Sequence, residues 1–204
     1  MRVFVLTTGR TASTTFAAAC EHIDNMTAGH ETRARQLSAR LDYPDQHIEV
    51  DNRLVWFLGG LGRHFDDTET FYVHLTRDPQ QVARSYLERW HINVSIVRHF
   101  YHGVLMRKEK PTPAEALDAC HEFVTAVDDN ISEFLSVRQN WCEVRLEHFA
   151  EDFLRFMTQA GLSGDREAIV SVLQQRQNTS KRREKPFKGL RGWATRFSST
   201  KLDL

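Results

Sequence analysis

The chain of 204 residues lacks any apolar run long enough to cross a bilayer, which excludes a membrane-spanning helix. It also lacks a cysteine framework: Cys20, Cys120 and Cys142 have no metal-ligand spacing and cannot all pair. All three stand in apolar patterns, so buried free thiols in a reducing, cytoplasmic setting are expected. Neither charge is in excess. Twenty-seven acidic and 27 basic side chains cancel, so no bulk attraction to nucleic acid or to a membrane is expected. No leader peptide is expected, because the N-terminus runs straight into a predicted strand. Histidine is plentiful, at ten residues, but scattered; His99 and His102 alone do not make a metal site, and no metal is expected.

What is present is an alternation of short apolar runs with helical stretches, the pattern of an α/β protein with a central parallel sheet of about four to five strands. Val3 to Leu6, His47 to Asp51, Thr70 to Thr76 and Cys142 to Leu146 read as strands. Asp78, Pro79 and Gln81 predict a helix start with a capping box, and Thr112, Pro113 and Glu115 predict another. Ala116, Ala119, Cys120, Phe123, Val124, Val127, Ile131 and Phe134 then form one apolar stripe, expected to be core. Phe149, Phe153, Phe156 and Met157 predict a further helix closed by Gly161. Residues 1–185 are expected to form one α/β domain. Residues 186–204 form a basic, aromatic tail, and from Lys181 to Arg196 seven basic residues face one acidic. Two readings of that stretch stand: a solvated terminus, or a lid closing over an anionic ligand.

Three groups carry chemistry. The first is Gly9-Arg10-Thr11-Ala12-Ser13-Thr14-Thr15, which leaves a strand and enters a helix whose apolar face is Phe16, Ala17, Ala19, Cys20 and Ile23. A strand–loop–helix of this kind offers backbone N–H groups to a phosphate, although such turns also occur with no ligand. The Gly-Lys-Ser/Thr of a nucleoside-triphosphate loop is missing, so the Lys that bridges β- and γ-phosphates is absent. The second is Arg77, at the carboxyl end of a strand, with Ser85 eight residues on. The pair can hold a second anionic group, or Arg77 can simply neutralise Asp78. The third is Gly29-His30-Glu31-Thr32-Arg33. Glu31 there is either a general base with Arg33 beside it or part of an ordinary helix start.

Taken together, these segments resemble the sulfotransferases that use 3′-phosphoadenosine 5′-phosphosulfate (PAPS). Gly9 to Thr15 is similar to that family's 5′-phosphosulfate loop, Pro-Lys/Arg-Ser-Gly-Ser/Thr-Thr. Arg77 and Ser85 resemble its 3′-phosphate motif, and Gly29 to Arg33 resembles the Gly-Glu-Glu-Thr-Arg of tyrosylprotein sulfotransferases. Val144 to Leu154 and Asn178-Thr179-Ser180-Lys181 are similar to later segments of the same family.

The resemblance implies a three-layer P-loop-type fold and sulfuryl transfer to a hydroxyl or amine, leaving adenosine 3′,5′-bisphosphate (PAP), with no metal. Residues 9–15 and Arg77 with Ser85 would hold the two phosphate ends, joined by Asn178, Ser180 and Lys181. Arg10 would neutralise the leaving oxygen, and Glu31 would be the base, supported by Arg33. The acceptor is expected to be a small molecule, glycan or peptide, with no nucleic acid involved. Asp51, Asn52 and Arg53 are second-rank acceptor contacts, and Asp51 is the alternative base. Trp56, Phe57, Trp90, Tyr101 and His102 either line the acceptor pocket or belong to the core. Three departures stand out: Gly9 replaces a common Pro, His30 replaces a Glu of the tyrosylprotein pattern, and Ala12 replaces Gly, where it presents its N–H provided its φ stays negative. The alternatives are a P-loop kinase of small molecules and a nucleotide-binding protein without transferase activity.

Overall fold

A computed structural model describes the backbone of residues 1–183 and the side chains through residue 175. Its strands are β1 (Arg2–Leu6), β2 (Thr27–His30), β3 (His47–Val50), β4 (Thr70–Thr76) and β5 (Trp141–Arg145). They form one all-parallel sheet in the order β2-β3-β1-β4-β5. The helices are α1 (Ser13–Cys20), α2 (Leu58–His64), α3 (Pro79–Leu87), α4 (Ile96–His99), α5 (Pro113–Ser136), α6 (Phe149–Gln159) and α7 (Arg166–Arg183).

The central strands are apolar on both faces because helices cover both faces. Side chains alternate across the pleat. Val3, Val5, Val73 and Leu75 join α1, α6 and α7 in one core, and Phe4, Leu6 and Tyr72 join α2, α3 and α5 in the other. In the first core Phe16 of α1 packs 4.8–6.3 Å, centroid to centroid, from Phe149, Phe153 and Phe156. That cluster fixes the helix that follows the 9–15 loop.

Several expectations are met. The α5 stripe from Ala116 to Ile131 is buried; at its end Leu135 is buried and Phe134 only half-buried. Thr112 and Glu115 form the full capping box. All three cysteines are free and buried, and burial pushes the Cys120 and Cys142 thiols up to about 12. Trp90 and Tyr101 are core, whereas Trp56, Phe57 and His102 are exposed.

Two expectations are corrected. Asp78 caps α3 as predicted, accepting from the Gln80 and Gln81 amides, but Gln81 does not close a capping box. Its Oε1 accepts from Arg77 Nη2 at 2.8 Å instead, because the cationic donor makes the stronger bond. The segment after α1 is neither a loop nor a helix start: residues 27–30 form the edge strand β2. Thr-Ala-Gly-His has no apolar run to announce a strand. Pairing with β3 supplies the order that its own side chains do not.

The order of the strands places the site. From β1 the chain crosses over one face to β2; from β3 it crosses over the other face to β4. The crevice between such diverging connections, at the carboxyl ends of the strands, is where open α/β sheets bind ligands.

Candidate nucleotide and transfer site

Thr7 to Ala12 connect β1 to α1 in a turn with Gly9, Arg10 and Ala12 all left-handed, at φ +78°, +63° and +64°. The condition read from the sequence, that φ stay negative at Ala12, is therefore not met. Ala12 is the N-cap of α1; its carbonyl receives the Thr15 and Phe16 amides, and the helix geometry sets its backbone. An alanine held there costs about 1–2 kcal/mol relative to the right-handed form. Gly9 is required twice over. A proline cannot reach φ +78°, and a Cβ would meet Tyr86 Oη at 2.4 Å and Asn52 Nδ2 at 3.0 Å.

A turn with several left-handed residues is the kind of backbone that can present N–H groups to an anion. Among the described residues, the amides of Thr11, Ala12, Ser13 and Thr14 donate to no acceptor, as the first amides of a helix do when no cap serves them. Thr15 Oγ1 is buried and has no partner among those residues either. A buried hydroxyl without a partner costs about 1–3 kcal/mol. The exposed Thr14 hydroxyl makes no hydrogen bond among the described residues, whereas those of Thr11 and Ser13 are engaged. Thr7 and Thr11 share a hydrogen bond at 2.5 Å, and Ser13 Oγ lies 3.1 Å from His30 Nε2.

The loop is tied to the second motif across the chain. Strand β4 continues past the level of Leu6, whose register partner is His74, so Arg77 stands about 10 Å further along the strand direction. From there its Nη1 donates to the Arg10 carbonyl at 3.1 Å. Arg10 Nε donates to Ser85 Oγ at 3.0 Å, and Tyr86 Oη donates to the Thr8 carbonyl at 2.6 Å. Arg77, Ser85 and the loop therefore form one hydrogen-bonded unit, and the alternative pairing of Arg77 with Asp78 is not made.

Glu31 follows β2 directly, with φ +54°. Its amide extends the ladder to the Val50 carbonyl, and its side chain is partly exposed. Of the five described non-glycine residues at positive φ, three are Arg10, Ala12 and Glu31, so backbone strain is concentrated in this site. Arg33 makes no side-chain hydrogen bond or ion pair among the described residues. Arg53 takes the place expected for it: its Nη1 lies 2.7 Å from Glu31 Oε2.

Asp51 supports that pair from below. It is fully buried, accepting the Arg53 amide on Oδ1 and the Arg40 guanidinium on Oδ2. Burial raises its pKa, although the Arg53 amide and Arg40 oppose the shift. With both oxygens occupied and no exposed surface, Asp51 is a scaffold and not an acceptor contact. Sequence reasoning gave no role to Arg40, Glu49 or Tyr86, whose bonds to Asp51, Thr32 and Thr8 span 11, 17 and 78 positions.

Glu49 holds the other side of the turn. It accepts from the Thr32 amide and hydroxyl at 2.8 and 2.6 Å, and His47 Nε2 lies 3.1 Å away. Burial pushes its pKa up, but the bonds from His47 and Thr32 outweigh it and leave the carboxylate below its ordinary range. A lowered carboxylate stabilises the fold above its unfolded pKa and loses that contribution as pH falls through the folded value. Glu49→Gln is therefore expected to cost about 2 kcal/mol at pH 7, and the gap to close below about pH 4. Urea midpoints of both proteins at pH 7 and at lower pH check this; a constant gap would assign the loss to packing.

Asn178, Ser180 and Lys181 lie in α7, but their side chains fall outside the described residues, as does the whole of the tail 186–204. No cluster of histidine, cysteine and carboxylate suited to a metal occurs among the described residues.

No family model matches the chain, and no curated protein matches it in sequence. Its fold is similar to that of mouse sulfotransferase SULT7A1, solved in complex with PAP. The TM-score is 0.55 at 10% identity, over 85% of this chain. The chain spans 63% of the length of that protein. At such identity the likeness concerns the fold alone.

Proposed function

We propose that this chain is a sulfotransferase that moves a sulfuryl group from PAPS to a hydroxyl or amine. The observation that carries the reading is the hydrogen-bonded unit of Arg77, Ser85 and the 9–15 loop, set beside the Glu31–Arg53 pair on one sheet edge. A donor with phosphates at both ends of its ribose needs two anion grips held in fixed relation, and this unit supplies them. The PAP bound by the structural neighbour supports the same donor.

In this reading the Thr11 to Thr14 amides and Thr15 Oγ1 hold the 5′-phosphosulfate. Arg77 holds the 3′-phosphate, for which Ser85 exchanges its bond to Arg10. Arg10 neutralises charge on the bridging oxygen as the sulfur–oxygen bond breaks. Glu31 takes the proton of the acceptor as its oxygen or nitrogen bonds to sulfur, and PAP leaves. Arg53 orients Glu31. Lys181, Asn178 and Ser180 join the nucleotide grip. The acceptor is a small molecule, glycan or peptide.

PAP at one hundred times its Kd is expected to raise Tm by about 5–10 °C, and ATP with Mg²⁺ to do little. Arg77→Ala should abolish the difference. Equal stabilisation by ATP would overturn the reading in favour of a kinase. Binding without transfer to any acceptor in a broad metabolite panel would leave a nucleotide-binding protein.

A further inference from the structure

Between α3 and α5 the chain makes an excursion, residues 88–112, that the transfer site does not use. It carries five basic side chains against two acidic, in a protein of zero formal net charge. From His102 to Lys110 every residue is exposed, and Val104, Leu105 and Met106 follow one another there. Val104 and Met106 are 59% and 73% exposed, and Val94 on the same excursion is 81% exposed. Arg107, Lys108 and Lys110 come directly after.

The base of this tip is ordered by its own contacts. Trp90 packs edge-on to Tyr101, the Tyr101 carbonyl accepts the Arg107 amide, and His102 Nδ1 lies 2.7 Å from the Arg107 carbonyl. The exposed apolar residues therefore stand on a fixed turn.

We propose that Val104 to Lys110 is a docking tip for an anionic lipid surface. A protein partner would need one continuous face to pack against. Successive residues of a helical turn splay by about 100°, and the left-handed Met106 turns the chain further, so these three side chains share no such face. Beyond Gly103 the space is open. A fluid interfacial layer surrounds a convex tip without shape complementarity, taking apolar groups inward and leaving the following Arg and Lys among anionic headgroups. The local basic excess selects an anionic surface over a neutral one. Phe100 packs on Phe123, Phe123 on Tyr86, and Tyr86 bonds to the Thr8 carbonyl. Docking thus holds the 9–15 loop at a set position relative to the lipid. The proposal does not depend on the transfer chemistry.

The test is sedimentation of the full chain with vesicles of phosphatidylcholine alone, or with about one third phosphatidylserine added. The wild type is expected to bind the anionic vesicles only. Arg107→Gln and Lys108→Gln should each weaken binding about fivefold. Val104→Ser with Met106→Ser should weaken it about tenfold at unchanged Tm, and Val104→Trp should show a blue-shifted emission on vesicles. Binding that the double serine variant leaves intact would assign the attraction to basic residues elsewhere and overturn the proposal. So would absence of binding to either vesicle, or a dimer in solution that the serine variant dissolves.

Discussion

Glu31→Gln is expected to lower turnover by about 10²–10⁴-fold while PAP affinity stays within about twofold. The side chain that changes makes its described contact with Arg53 and not with the 9–15 loop, so the proposed nucleotide grip is untouched. Glutamine keeps the size and an oxygen for Arg53 but cannot accept the proton of the acceptor. The backbone at φ +54° is indifferent to the exchange. Product formation and PAP titration on the same preparation check the split. Unchanged turnover would move the base to His30, which lies beside the loop through Ser13. Asp51 is not an alternative, being fully buried between Arg40 and the Arg53 amide.

Arg10→Ala is expected to reduce turnover by about 10²–10³-fold, the range for loss of one preorganised donor to a developing anion. Among the described residues Arg10 makes two contacts of different kinds. Its carbonyl is fixed by Arg77 and its Nε by Ser85, so the substitution frees Ser85 but keeps the carbonyl tether that shapes the loop. PAP affinity is therefore expected to fall much less than kcat. The opposite pattern, a large loss of PAP affinity at constant kcat, would place Arg10 at the nucleotide end and leave the bridging oxygen to the loop amides.

How much of this was legible in the sequence depends on how local each signal is. The run Val3 to Leu6, the hydroxyl-rich loop and the apolar face of α1 are contiguous, and so were read together. Arg77 at the end of β4 and Ser85 in α3 were equally legible, because a buried strand and a Pro-started helix frame them. Strand β2 was not. Thr27 to His30 are strand only because β3 lies alongside. The left-handed Ala12 was misjudged because its φ is set by the helix it caps and the strand before it.

The electrostatic partners show the same division. Glu31 was singled out by its neighbours in sequence, and Arg33 was paired with it for the same reason. Folding pairs it with Arg53 instead, 22 positions away, because β2 and β3 end side by side and Asp51 anchors the Arg53 amide. By itself the sequence determined the α/β class and the strand–loop–helix that carries residues 9–15, since local pattern and turn chemistry encode these. Only the tertiary structure decided which charges meet, which hydroxyl is left without a partner and which carboxylate reaches the surface. Those outcomes depend on strand order and burial, and no stretch of chain carries either alone.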